Sequence, residues 1–207
     1  MPLNKFNLLR LAMHLASILP ALILIIGAFT GNLTANPILA VEQRTGQYAL
    51  ITLLLSLACT PIYILTGYRP VRKFRRPLGL YAFFYASVHF LTYIALDYSL
   101  QISRILQSLS VRPFIILGAV AWLLLAFLAI TSNKKSKRIL AKNWKRLHRF
   151  VYLIAVIVII HYIWGFKGNL VLPIIYGSIL LLLLIIRLPF IARRFQTNRL
   201  PDPSTKS

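Results

Sequence analysis

Apolar runs of about 20 residues recur from one end of this chain to the other, and that recurrence limits its fold more than any other feature. A run of that length crosses a hydrocarbon layer of about 30 Å as a helix rising 1.5 Å per residue. Inside lipid the backbone must satisfy its own N–H and C=O groups, so such runs fold as helices. Six candidate spans lie at roughly 8–29, 46–67, 78–97, 111–131, 147–166 and 170–188. The expected fold is an all-α integral membrane protein, a six-transmembrane helical bundle. With 207 residues, 58% of them hydrophobic, the spans fill a single unit over 1–190 and leave a polar tail over 191–207. That tail, containing "RFQTNRLPDPSTKS", reads as flexible. The first run is read as a retained helix rather than a cleaved export signal.

Net charge is +21, from 24 basic and three acidic residues. In a soluble chain this would suggest nucleic acid. Here the basic residues crowd beside apolar spans and report topology instead. One set of connections carries Lys5, Arg10, Arg69, Arg72, Lys73, Arg75 and Arg76, the run from Lys134 to Arg149, and the segment from Arg187 onward. The other carries only Arg44, Arg104, Arg112 and Lys167. The positive-inside rule then puts both termini in the cytoplasm, and Lys167, Gly168 and Asn169 make a tight hairpin on the far side. Trp144, Trp164 and Tyr93 read as interfacial anchors. Cys59 is the only cysteine, so no intramolecular disulfide and no cysteine-based zinc or iron–sulfur site is expected.

Against this background the four histidines stand out. A histidine within a bilayer is costly without a partner, and neutral imidazole is a standard axial ligand of haem iron. Counting from the basic end, His89 lies roughly 17 Å deep in the third span and His161 roughly 21 Å deep in the fifth. Two imidazoles at matching depth on two helices of the same direction suit the two faces of one haem. His148 lies near the basic boundary, and His14 lies in the same half of the first span. Thirteen residues separate His148 from His161, about 220° around a straight helix, so the two do not share a narrow face. The plainer alternative, hydrogen bonding between helices, stays open for each. Glu42 and Asp97 are not central, which weighs against a proton pump or cation transporter.

Two segments carry a resemblance. "RRPLGLYAFFYASVHFLTY" at 75–93 and "WKRLHRFVYLIAVIVIIHYIW" at 144–164 resemble the MsrQ (formerly YedZ) family, and "MHLASILP" at 13–20, "TGQYAL" at 45–50 and "TP" at 60–61 extend the likeness along nearly the whole chain. That family, within the ferric-reductase-like transmembrane superfamily, comprises haem-binding membrane subunits of the bacterial periplasmic methionine sulfoxide reductase system. The resemblance implies haem b, one or two per chain, with His89, His148 and His161 as haem-associated residues and His14 matching the family's first-helix histidine. It implies flavin mononucleotide interaction at Arg75 and Arg76, since guanidinium groups grip phosphate well. It also implies a bacterial inner-membrane location. The implied electron source is a cytoplasmic flavin reductase or the quinone pool. The implied acceptor is a periplasmic molybdopterin enzyme, MsrP, which itself reduces the sulfoxide. Partner contacts are expected in the segments 30–44 and 98–110. A stand-alone ferric or metal reductase, and a non-redox transporter, are the alternatives.

Overall fold

The computed structural model describes residues 5–166 and 168–197, and its described residues are helical almost throughout. The order is α1 (Lys5–Phe29), α2 (Pro37–Thr66), a 3-10 segment (Arg69–Phe74), α3 (Arg75–Leu91), a π-helical turn (Thr92–Asp97), α4 (Ile102–Val111), α5 (Phe114–Ile130), α6 (Lys134–Gly165), α7 (Val171–Ile185) and α8 (Pro189–Thr197). Four stretches are long and apolar enough to cross a membrane: Lys5–Phe29, Pro37–Thr66, Arg69–Asp97 and Lys134–Gly165. Two bent pairs, α4–α5 at 113° and α7–α8 at 72°, bring the count to as many as six when each pair is taken as one span.

Local chemistry sets several boundaries. The Asn36 side chain accepts from the Leu39 N–H, and Pro37 occupies the first turn, where its missing N–H costs nothing. Gly67, at φ 76°, closes α2 in the left-handed conformation. The second helix therefore starts well before the expected residue 46. Its early turns come from the segment 30–44, where no helix was expected. Residues 98–110 differ in the same way: most of them form α4, which packs through Ile105, Ser108 and Leu109 and leaves Ile102, Leu106 and Val111 exposed. The fourth span accordingly starts at Phe114 rather than 111. Asn133 caps α6 through the Ser136 N–H, and α6 breaks at Ala141 (φ 44°), which turns the Lys-rich first turns away from the apolar length that follows. The first residues of the expected tail form α8, and 198–207 lie outside the described residues.

The core lies between α2, α3, α5 and α6, with α7 against one side. It contains Leu50, Leu53, Leu54 and Leu57 of α2, Ala82 of α3, Leu125 of α5, Ile154 and Ile159 of α6, and Leu180 of α7. Tyr162 meets Tyr176, and Gly177 lies by Ile159, so α7 runs back along α6 as a hairpin. Lys167, the first residue of its expected turn, lies outside the described residues. Only Ser17 and Leu24 of α1 are buried, and that helix leans on the bundle from outside. Large apolar side chains such as Ile26 and Phe29 point away from protein, as a lipid-facing surface requires.

Pro61 sits inside α2 and has no N–H for the Leu57 carbonyl one turn earlier. Arg187, at the end of α7, donates to that carbonyl and to the Tyr152 hydroxyl. A basic residue expected to belong to the surface thus closes a gap in the backbone of another helix. Tyr93 also differs from expectation. It is buried and shares a 2.6 Å hydrogen bond with Ser108, so it ties the π turn to α4 and is no interfacial anchor.

Candidate functional site

His89 stands on the last turn of α3 and His161 near the end of α6. Their ring centroids are 6.3 Å apart, with planes at 82°. The His89 Nδ1 lies 2.8 Å from the Glu42 carbonyl of α2, and the His161 Nδ1 lies 2.7 Å from the Phe114 carbonyl of α5. A carbonyl oxygen only accepts, so each Nδ1 carries the proton and each neutral ring keeps its lone pair on Nε2. Among the described residues neither Nε2 makes a hydrogen bond. This is the arrangement of a metal-binding histidine whose second nitrogen is fixed by backbone.

Two glycines give the rings their room. A Cβ on Gly118 would stand 2.8 Å from the His161 Cε1, and one on Gly46 would stand 3.1 Å from the His89 Nδ1. The imidazoles therefore lie on the bare backbone of α5 and α2. Beside them Trp122 stacks on Phe90 at 4.5 Å and donates to Ser87, which fixes the α3–α5 contact. The π turn begins three residues beyond His89, and such turns recur at functional sites.

Two neighbouring imidazoles, each with Nδ1 held by backbone and Nε2 left for a metal, are residues that could hold a haem iron. Among the described residues no group of three His, Cys, Asp or Glu stands together.

The other histidines stand apart from this pair. His148 lies flat on Trp144 at 3.9 Å, its Nδ1 engages the Trp144 carbonyl, and its buried Nε2 lies near the Leu128 carbonyl of α5 without a well-formed hydrogen bond. His14 meets the Tyr81 hydroxyl at 2.9 Å, not another histidine. The Arg76 Nε donates to the Ser132 carbonyl and its side chain lines a groove against α1, and the main-chain carbonyl of Arg75 accepts from the Ser56 hydroxyl. Cys59 is a buried free thiol.

Sequence reasoning missed the two carbonyls and the two glycines. The carbonyls leave no trace in residue identity. The glycines were visible, but only the fold shows what lies over them.

Residues 45–159 match the family described as ferric reductase like transmembrane component. The chain is 44% identical over 176 residues to a protein of Xanthomonas euvesicatoria named protein-methionine-sulfoxide reductase heme-binding subunit MsrQ, covering 84% of this chain and 81% of the relative. A protein of the same name from Herminiimonas arsenicoxydans is 39% identical over 186 residues, covering 88% and 85%. Another, from Xanthomonas campestris, is 46% identical over 152 residues, covering 73% and 70%. With a multi-pass helical fold and likeness along most of its length, this chain belongs to the MsrQ family of ferric-reductase-like transmembrane proteins.

Proposed function

We propose that this chain is a haem b membrane subunit carrying electrons across the bacterial inner membrane. The donor is a cytoplasmic flavin reductase or a membrane quinol. The acceptor is a periplasmic molybdopterin methionine sulfoxide reductase of the MsrP kind, which performs the sulfoxide chemistry. The observation that carries this reading is the His89–His161 pair, 6.3 Å apart with both Nδ1 atoms bound to backbone carbonyls. The names of the relatives support the haem and the repair system.

Bound between these imidazoles, haem iron supplies one-electron exchange between its ferric and ferrous states. The chain's own residues do the rest. His89 and His161 would hold the haem through their Nε2 atoms. The Glu42 and Phe114 carbonyls hold the tautomer and the ring angle. Apolar walls from α2, α3, α5 and α6 exclude water. His148, near the basic end, is the candidate ligand of a second haem there. That end, facing the cytoplasm with both termini, receives the reductant, and Arg75 and Arg76 contact the phosphate of flavin mononucleotide there.

The test is a reduced-minus-oxidised visible spectrum of detergent-purified protein, with pyridine haemochrome quantitation, for the parent, His89→Ala and His161→Ala. A b-type spectrum lost in both variants supports the shared pair. A parent free of haem, from cells supplied with excess haem, overturns the proposal. Two haems per chain assign His148 the second; one removes it from the ligand set.

A further inference from the structure

Two hollows between α1 and α3 join end to end. One, of about 440 Å³, is apolar along Ile18, Ala21 and Phe84, and its polar groups are already engaged: His14 with Tyr81, and Ser17 with the Met13 carbonyl. The other, of about 380 Å³, is bordered by Arg10, Lys73 and Arg76. The two share His14, Pro77 and Leu80, so they form one groove with a cationic mouth and an apolar length.

Three further observations point to an occupant. The described carboxylates, Glu42 and Asp97, belong to the opposite end of the bundle, so the mouth has three cations and no acid near it. Helix α1 touches the bundle at separated points, Phe6 on Phe74, His14 on Tyr81, and the Ser17 carbonyl on the Tyr85 hydroxyl, with the groove between them. The rise from Arg10 to Ala21 is about 16 Å, close to one leaflet of hydrocarbon.

We propose that this groove binds one anionic phospholipid. Its phosphate sits between Arg10 and Lys73, and one acyl chain runs past His14 to Ala21 and Phe84. Basic recesses between transmembrane helices hold anionic headgroups by charge, and apolar walls hold the chain. A flavin suits the groove less well, because the hydrogen-bonding edge of its ring system would meet apolar walls. The lipid completes the contact between α1 and α3 that protein side chains leave open. The proposal stands apart from the electron-transfer reading, because Arg10 and Lys73 take no part in that reading.

Native mass spectrometry of the detergent-purified full chain, with dioleoylphosphatidylglycerol or dioleoylphosphatidylcholine added, tests this. The parent should retain one phosphatidylglycerol and release phosphatidylcholine. The double variant Arg10→Gln, Lys73→Gln should lower retention about thirtyfold, while Lys135→Gln, Arg138→Gln, at the same end but outside the groove, should not. Ala21→Phe, which fills the apolar hollow, should lower retention with the mouth intact. Equal retention of the two lipids, retention unchanged in the Arg10–Lys73 variant, or displacement by flavin mononucleotide or a quinone would overturn the assignment.

Discussion

Replacing Gly118 with alanine tests the site with a single methyl group. The added Cβ would lie 2.8 Å from the His161 Cε1 and 3.0 Å from its Nδ1. Carbon atoms in comfortable contact stand about 3.5 Å or more apart, so the ring must retreat by roughly 0.7 Å. Its bond to the Phe114 carbonyl is 2.7 Å long, and a retreat of that size along it stretches it to about 3.4 Å, outside the usual range. The direct loss is about 1 kcal/mol. The larger effect falls on ligand orientation, where a lost supporting bond typically costs about 10- to 100-fold in metal affinity. Alanine also raises helix propensity by up to about 1 kcal/mol over glycine, so Gly118→Ala should be no less stable as apoprotein while holding haem far more weakly. Haem titration followed by absorbance, beside thermal unfolding of the apoprotein, separates the two effects. Gly46→Ala, whose Cβ would meet His89 at 3.1 Å, should show a smaller loss. A Gly118→Ala protein that binds haem as tightly as the parent, with an unchanged low-spin spectrum, would refute the idea that Gly118 sets the position of His161.

Three other outcomes follow from the same structure. Arg187→Leu should cost about 1–3 kcal/mol by stranding the Leu57 carbonyl, and Pro61→Ala should recover part of that by restoring an N–H; strictly additive effects in a double-mutant unfolding cycle would sink the pairing. Tyr93→Phe should cost about 1 kcal/mol and speed amide exchange in α4, with the haem spectrum preserved; exchange unchanged in α4 would show that the Tyr93–Ser108 bond does not anchor it. His148→Ala should lower haem content without removing the spectrum of the His89–His161 pair; loss of all haem would place His148 in the same site.

Much of the fold was legible because lipid allows few choices. Apolar runs near a bilayer's thickness gave the helices, and charge asymmetry gave an expected orientation. The ends of elements were harder. An early start for α2 depended on Asn36 and Pro37, short polar signals within a segment that showed no long apolar run. Helix α4 has too few apolar residues for a span, and its amphipathic pattern falls between the expected spans. The pairing of His89 with His161 was visible from depth alone, because helix rise is fixed. Their hydrogen bonds were not, since the partners are main-chain atoms of Glu42 and Phe114. Arg187 shows the same limit from the other side: its charge suggested a surface, and its partner is defined by the N–H that Pro61 lacks.

The depth of the histidine pair has an electrical consequence. On the proposed orientation His89 and His161 lie about 17 and 21 Å from the cytoplasmic boundary, roughly two thirds of the way across. A full crossing by one elementary charge is worth about 2.3 kcal/mol per 100 mV, so an electron brought to this depth gains roughly 1.5 kcal/mol per 100 mV from an interior-negative membrane. Electron export on the proposed route would then be electrogenic: the membrane potential would assist it, and each sulfoxide reduced outside would draw that potential down.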